Sequence, residues 1–195
     1  MQDVYNGVMY DVVKKAVSAL ENDGVIIHPT DTCYGFAASI FSEKGVARLY
    51  DIKQMPETKP IAILVGSLEQ AREFGIFNEV AEKLVKKHWP GALTMIVKRS
   101  EKLPQHINPG NETIGIRFLH HELTEAIIRE LGHPIVTTSA NKSGEPEAYS
   151  FAMLKVSADF VIDGGALPHV KASTVVDCSQ GTAIVIRKGP VDIHI

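Results

Sequence analysis

At 195 residues and 45% hydrophobic, the chain is long enough to bury a core without disulfides or a structural metal. Its formal net charge of −3 excludes a global positive field of the kind that draws proteins onto nucleic acid, so any such contact has to be local. No apolar run reaches the roughly 20 residues of a membrane span, the opening "MQDVYNGVMYDVVKK" lacks the features of a secretory signal, and Cys33 and Cys178 are too far apart for a CxxC pair or zinc knuckle. The expectation is a cytoplasmic protein without membrane contact, residues 1–195 forming one domain with reduced thiols.

In chain order, Val12, Val13, Ala16, Val17 and Leu20 recur at helical spacing and stop at Gly24. "VIIH" (25–28) reads as a short buried strand, and the segment after it as loop. Ser42 is placed to cap a helix carrying Val46, Leu49, Tyr50 and Lys53, which Pro56 and Pro60 end before the strand "IAILV" (61–65). Ser67 with Gln70 forms a capping-box signal for "SLEQAREFG", and Asn78 caps "EVAEKLVKKHW". "ALTMIVK" (92–98) and "TIGIRFL" (113–119) are strands separated by the Pro- and Asn-rich "LPQHINPGNE". "HELTEAIIRELG" is an amphipathic helix with Leu123, Ile127, Ile128 and Leu131 on one face and Gly132 closing it. Strand "PIVTT" (134–138), loop "SANKSGEPEA", a helix near "SFAMLKV" and strands "FVID", "STVVD" and "AIVIR" complete the chain. Several strand connections are too short for a crossover, so the reading is α/β around one sheet with parallel and antiparallel pairs.

Common catalytic signatures are missing. Neither GxxxxGK[ST] nor a GxGxxG after a strand occurs, GxSxG is absent, Ser139 in "TSAN" has no evident base, and the eight histidines show no HExxH spacing. Adjacent His120 and His121 read as a surface pair. What remains is a set of strand exits that carry small hydroxyl residues and a charge: "HPTDTCYG", "YDIKQMPETKP", "ETIGIR", "TTSANKSG", "KASTVVD" and "IRKGP". Ligands of open α/β sheets collect outside strand ends, so six polar exits point to one shared site. Lys53, Lys59, Arg117, Lys142, Arg187 and Lys188 lie in or beside these exits, a concentration that suits a polyphosphate and a pyrophosphate leaving group. Ordinary solvated surface cations are the alternative at this stage. Asp31 and Thr32 likewise stay open between making a turn and presenting groups to a ligand.

"PTDTCYGF", "IKQMP", "PGALT", "GIRF", "TSANKSG", "STVVD" and "IRKG" occur in the order and spacing of the YrdC/Sua5 family, which the chain resembles from about Pro29 to Gly189. The resemblance implies a single α/β domain around a large twisted mixed sheet with flanking helices and a deep, positively charged cavity. It implies an L-threonylcarbamoyladenylate synthase, which joins L-threonine, bicarbonate and ATP with release of pyrophosphate. The product serves a threonylcarbamoyl transferase complex that forms t6A at position 37 of tRNA. By that resemblance Lys53, Ser139 and Asn141 are catalytic; Lys59, Thr113 and Arg187 join them around the nucleotide; and Thr30, Thr32, Arg117, Thr137 and Ser173 hold threonine. Mg²⁺ accompanies ATP, held by phosphates and water with no protein ligand.

Met55 departs from the family pattern, which has Arg there; methionine cannot offer phosphate a forked pair of hydrogen bonds, and Lys59 is the nearby cation that returns the charge. The extra C-terminal domain of longer members is expected to be absent. Two alternatives accompany this reading: an RNA-binding or ribosome-maturation paralogue that uses the same basic cavity for tRNA or double-stranded RNA, and a hydrolytic remnant that binds nucleotide and releases AMP.

Overall fold

Strands distant in the chain meet in one sheet. The computed structural model describes residues 2–193. Its elements are α1 (Gln2–Glu21), β1 (Ile26–His28), β2 (Gly35–Ser39), α2 (Glu43–Lys53), β3 (Ala62–Leu64), α3 (Leu68–Phe74), β4 (Gly75–Ile76), α4 (Glu79–His88), β5 (Leu93–Arg99), β6 (Thr113–Arg117), α5 (Glu122–Leu131), β7 (Ile135–Ser139), β8 (Phe160–Val161), β9 (Thr174–Asp177) and β10 (Ile184–Arg187). The sheet runs β10-β9-β5-β6-β3-β7-β2-β1-β8, with β4 added against β5. The pairs β1 with β8, β3 with β6 and β5 with β9 are parallel and the rest antiparallel, so the mixed α/β sheet expected from the short connections is present. Among the described residues no helix is long and apolar enough to cross a membrane.

Helix starts follow local chemistry. Ser42, Ser67 and Asn78 each sit in extended backbone and accept the N–H three residues on, satisfying a donor that the first helical turn leaves free. Gly132 ends α5 at φ 79°, a left-handed conformation that costs glycine little. Three elements differ from expectation. Gly35–Ser39, read as loop, is a fully buried strand because β1 and β7 pair with it on both sides, overriding a composition poor in β-branched residues. The short β4 was not anticipated. Residues 150–156 form only a single 3-10 turn, Phe151–Met153, whose Phe151 and Met153 are exposed, so no buried apolar face holds a longer helix there.

The two faces of the sheet are built differently. One carries Ile27, Phe36, Ile63, Met95, Val97, Ile114, Ile116 and Val136 into a cluster with residues of α2, α3 and α4. On the other, Ile26, Ala37, Leu64 and Ile135 pack with Val13, Val17 and Leu20 of α1 and Ile127 and Leu131 of α5. That second cluster covers only part of its face.

Candidate active site

Register explains why the rest of the face is hollow. Ala37, Thr137, Ala62, Gly115 and Ile96 are consecutive cross-strand partners, and side chains in one such row share a face. Two residues along β3 and β7, Leu64 and Ile135 project from that face into the helices; at Ala62 and Gly115 there is little or no side chain to project, and Thr137 offers only a short hydroxyl one. The result is a cavity of about 490 Å³ whose floor includes Gly35, Ala62, Gly115 and Thr137. Ten of the residues named from the sequence line it: Thr30 and Thr32 after β1, Lys53 at the end of α2, Lys59 beyond it, Arg117 of β6, Thr137 and Ser139 of β7, Asn141, Ser173 and Arg187. Thr113 does not; it pairs with Lys98 at the outer end of β6, beyond Gly115, where the lining stops. Lys142 and Lys188 also lie outside the lining.

The loop after β1 is stapled by a hydroxyl. Thr30 Oγ1 accepts the N–H groups of Thr32 and Cys33 at 3.1 and 3.2 Å and donates to Cys33 O at 2.6 Å. Asp31 is thereby aimed at Arg117 Nη2, Thr32 Oγ1 receives Nη1 at 3.3 Å, and Nε donates to Gly91 O at 3.2 Å. A guanidinium has five N–H groups, so one on each terminal nitrogen stays uncommitted, a pair suited to a carboxylate. Burial pulls the Arg117 pKa down from its usual value and Asp31 opposes that shift, leaving a clamped cation in the wall.

Lys53 holds the loop after β7. Its Nζ donates to Ser139 O at 2.6 Å, Asn141 O at 3.0 Å and Asn141 Oδ1 at 2.8 Å, with Ser139 Oγ at 3.3 Å. Ser143 N–H returns a bond to Lys53 O at 2.9 Å. Desolvation and then neighbouring Lys59 lower the Lys53 pKa to about 8, so near neutrality the ammonium is charged and occupied by protein oxygens. Ser139 Oγ donates to Asn141 Oδ1 at 2.6 Å, and the one amine beside it, Lys53 Nζ at 3.3 Å, is charged near neutrality and so is not a base for it there. Burial pushes the Cys33 thiol up to about 11, so neither group is an activated nucleophile. Across the cavity Arg187 binds Ser173 through Nε to O at 3.0 Å and Nη2 to Oγ at 3.1 Å, and Thr94 Oγ1 lies 2.8 Å from Ser173 Oγ. Lys59 differs: it is exposed, its carbonyl accepts Tyr50 Oη at 3.0 Å, and its ammonium has no partner among the described residues. Met55 is buried in the apolar cluster.

Behind the loop sits an imidazole that sequence reasoning passed over. His28 is fully buried, with Nδ1 3.0 Å from Thr124 Oγ1 and 3.2 Å from Pro29 O, while Nε2 has no partner. An unpaired buried polar atom costs about 1–3 kcal/mol. Desolvation, then the charges of His121 and Arg117, lower its pKa to about 4, against a smaller upward pull from Pro29 O. His121, expected at the surface with His120, is half-buried, its Nδ1 3.4 Å from Thr124 Oγ1. Sequence reasoning also missed Thr94, Glu145, Glu147 and Gly115 as lining. Only Gly115 had a signal, a glycine inside the strand "TIGIR".

Residues 18–189 match the model of the Sua5/YciO/YrdC family, described as "Telomere recombination". A threonylcarbamoyl-AMP synthase of Bacillus subtilis (strain 168) is 31% identical over 185 residues, covering 92% of this chain and 54% of that protein. The crystal structure of Pyrococcus abyssi Sua5 complexed with L-threonine has a TM-score of 0.84 and 31% identity, covering 91% of this chain and 54% of that one. Escherichia coli YciO has a TM-score of 0.83 and 27% identity, covering 93% and 91%. The chain therefore spans about half the length of the Bacillus and Pyrococcus proteins and nearly all of YciO.

Proposed function

The chain belongs to the Sua5/YciO/YrdC family, and from that premise we propose that it is an L-threonylcarbamoyl-AMP synthase, joining L-threonine, bicarbonate and ATP with release of pyrophosphate. One observation carries the reading: side chains from separate segments line a single cavity with four cations against two carboxylates, in a chain whose net charge is −3. Such a local excess suits a triphosphate and the charge that builds on departing pyrophosphate.

The proposed chemistry needs alignment more than a protein nucleophile. Bicarbonate takes up a proton and loses water to give CO₂, to which the threonine amine adds, forming an N–C bond and losing a proton; a carbamate oxygen then attacks the α-phosphorus as its bond to pyrophosphate breaks. Arg117, held by Asp31 and Gly91 O, presents its two uncommitted N–H groups to the threonine carboxylate, with Thr32, Thr137 and Ser173 available to the hydroxyl. Lys53 acts as a positioning residue: by fixing Ser139 and Asn141 it shapes the loop that meets the nucleotide. Lys59 and Arg187 supply charge to the phosphates. Among the described residues no three His, Cys, Asp or Glu side chains cluster as a metal cage. We assign Mg²⁺ to the triphosphate as part of the substrate, held by phosphate oxygens and water; Glu145 and Glu147 are the carboxylates in the lining.

In this reading the protein works in the cytoplasm and passes its product to a threonylcarbamoyl transferase complex that modifies adenosine 37 of tRNA. The deciding experiment is mass spectrometry of a mixture of protein, ATP, bicarbonate and L-threonine. The mixed anhydride should appear together with pyrophosphate, and omission of either threonine or bicarbonate should abolish both. Pyrophosphate formed without threonine would overturn the proposal. Salt-steep binding of tRNA without pyrophosphate release would instead favour the RNA-binding alternative.

A further inference from the structure

Thr124, in the first turn of α5, is fully buried and stands outside the cavity lining, yet its hydroxyl holds the loop that holds Arg117. Its Oγ1 donates to Pro29 O at 3.0 Å and lies 3.0 Å from His28 Nδ1. A hydroxyl has one hydrogen, so with that hydrogen on the carbonyl the imidazole is the donor to the hydroxyl, and the direction of the bond to Pro29 is fixed. Pro29 passes that constraint on. Its ring restricts φ, and its carbonyl shares a rigid peptide plane with Thr30 N, so the direction of the oxygen sets the start of the segment that follows. In that segment Thr30 Oγ1 staples Thr32 and Cys33, Asp31 pairs with Arg117 Nη2, and Thr32 Oγ1 receives Nη1. A second contact acts on the ring. A carbon added to Gly164 would stand 2.6 Å from both Cβ and Cγ of Pro29, closer than side chains tolerate, and Gly164 N–H is itself tied to Tyr34 Oη at 2.8 Å. Pro29 is thus held at its carbonyl by a helix hydroxyl and at its ring by bare backbone, neither of which lines the cavity.

We propose that Thr124 is a positioning residue for the amino-acid substrate: from outside the cavity its hydroxyl sets Pro29, and through it the contacts of Asp31 and Thr32 that aim Arg117. The assignment rests on the synthase reading. The nucleotide end of the cavity is shaped by Lys53, Ser139 and Asn141, which Thr124 does not touch, so its influence is confined to the amino acid. A buried hydroxyl that did no more than satisfy its neighbours would affect folding and leave both substrates alike.

Steady-state pyrophosphate release by the intact chain, with threonine and ATP varied in turn, tests the assignment. Thr124→Val keeps the shape and removes the hydroxyl; it should raise the KM for threonine about tenfold while the KM for ATP stays within about twofold. Thr124→Ser keeps the hydroxyl and should bring the KM for threonine back to within about twofold of wild type, although it loses a buried methyl group. Gly164→Ala displaces Pro29 at its ring without touching α5 and should reproduce the threonine-selective rise, so it decides the matter if Thr124→Val does not fold. An unchanged KM for threonine in Thr124→Val or in Gly164→Ala overturns the assignment. So do equal rises for both substrates, or a Thr124→Ser protein that behaves as Thr124→Val does. Each of those results leaves the synthase reading intact, whereas a wild-type protein that releases no pyrophosphate in response to threonine sinks that reading and the assignment with it.

Discussion

One face of the sheet is closed at one end and hollow at the other, although both ends share the same strands. Where Leu64 and Ile135 project, α1 and α5 seal the surface with Leu20, Ile127 and Leu131. Two residues away along β3 and β7, Ala62 projects almost nothing and Thr137 only a short hydroxyl side chain, and with Gly115 they leave a cavity. Backbone geometry is the same in both regions, so side-chain volume decides which becomes core and which becomes site. The site is therefore a deliberate gap in packing, and stability and binding should be separable by mutation.

The strongest way to break that comparison is a crossed pair of substitutions. At the closed end, Ile127→Ala removes a fully buried side chain and should cost about 2–5 kcal/mol in urea unfolding while leaving substrate affinities of the folded protein unchanged. At the open end, Gly115→Leu starts 3.2 Å from Ala62 Cβ and 3.5 Å from Thr94 Cγ2 and extends into the hollow. It should lower threonine-dependent pyrophosphate release by at least about 100-fold with a stability cost of about 1–3 kcal/mol, since Ala62 Cβ has to give way by a few tenths of an ångström. If Gly115→Leu unfolded the protein, or Ile127→Ala altered substrate affinity, the two ends would not be independent.

The boundary between the ends is marked by His28, under Thr124 of α5 and beside the glycine floor. The unfolded chain takes up this proton near pH 6.5, the folded one only near 4, so acidification through that window favours unfolding. Between pH 6.5 and 4 the group should remove about 3 kcal/mol of stability, and His28→Phe should flatten that part of the curve. Unfolding curves measured at several pH values decide it; the same acid slope in both proteins would show that another group is responsible.

Much of the helical packing was legible from residue order. On the opposite face Ser42, Ser67 and Asn78 cap α2, α3 and α4 through contacts three residues away, and at the closed end the stripe of Ile127, Ile128 and Leu131 is a local period. The open region was legible as chemistry and less so as geometry. Hydroxyls and cations at strand exits pointed to one shared site, because strand ends converge wherever a sheet is formed, and the family resemblance named within those exits ten residues that do share a cavity. Order along the chain could not show that Arg117 and Lys53 commit most of their donors to protein oxygens, since those partners lie 26 to 88 residues away. Nor could it show that the floor consists of missing side chains. In "GFAAS" and "TIGIR" small residues read as weak strand formers, and their purpose appears only when β2, β7, β3 and β6 align.

Within the open region, Lys53 sharpens the contrast between cations that build the site and cations that serve it. Lys53→Gln keeps a shorter donor but loses the charge that gathers Ser139 and Asn141, and should lower kcat about 30-fold with the fold intact. Its pH dependence has two opposite signs. Because the folded pKa is about 8 against 10.5 when unperturbed, this group adds stability as pH rises between those values, while activity falls as the loop loses its ammonium. A wild-type alkaline limb near pH 8 that persists in Lys53→Gln would reject this assignment.

The smallest expected effect separates Lys59 from the cations spent on protein contacts. Its ammonium is exposed and unpaired among the described residues, and Met55, buried among apolar side chains, offers phosphate nothing. Lys59→Ala should therefore raise the KM for ATP about fivefold, leave the KM for threonine unchanged and leave stability untouched, since no protein contact of the ammonium is lost. The effect should shrink as salt rises from 0.05 to about 0.5 M, because an exposed charge at the cavity mouth is screened within a few ångströms at the higher concentration. A clamped cation such as Arg117 would behave differently, losing packing and fold along with affinity and responding little to salt. A rise in the KM for ATP that ignores salt, or a matching change for threonine, would show that Lys59 acts by shaping the loop it belongs to. In that case the distinction between building and serving cations would have to be redrawn.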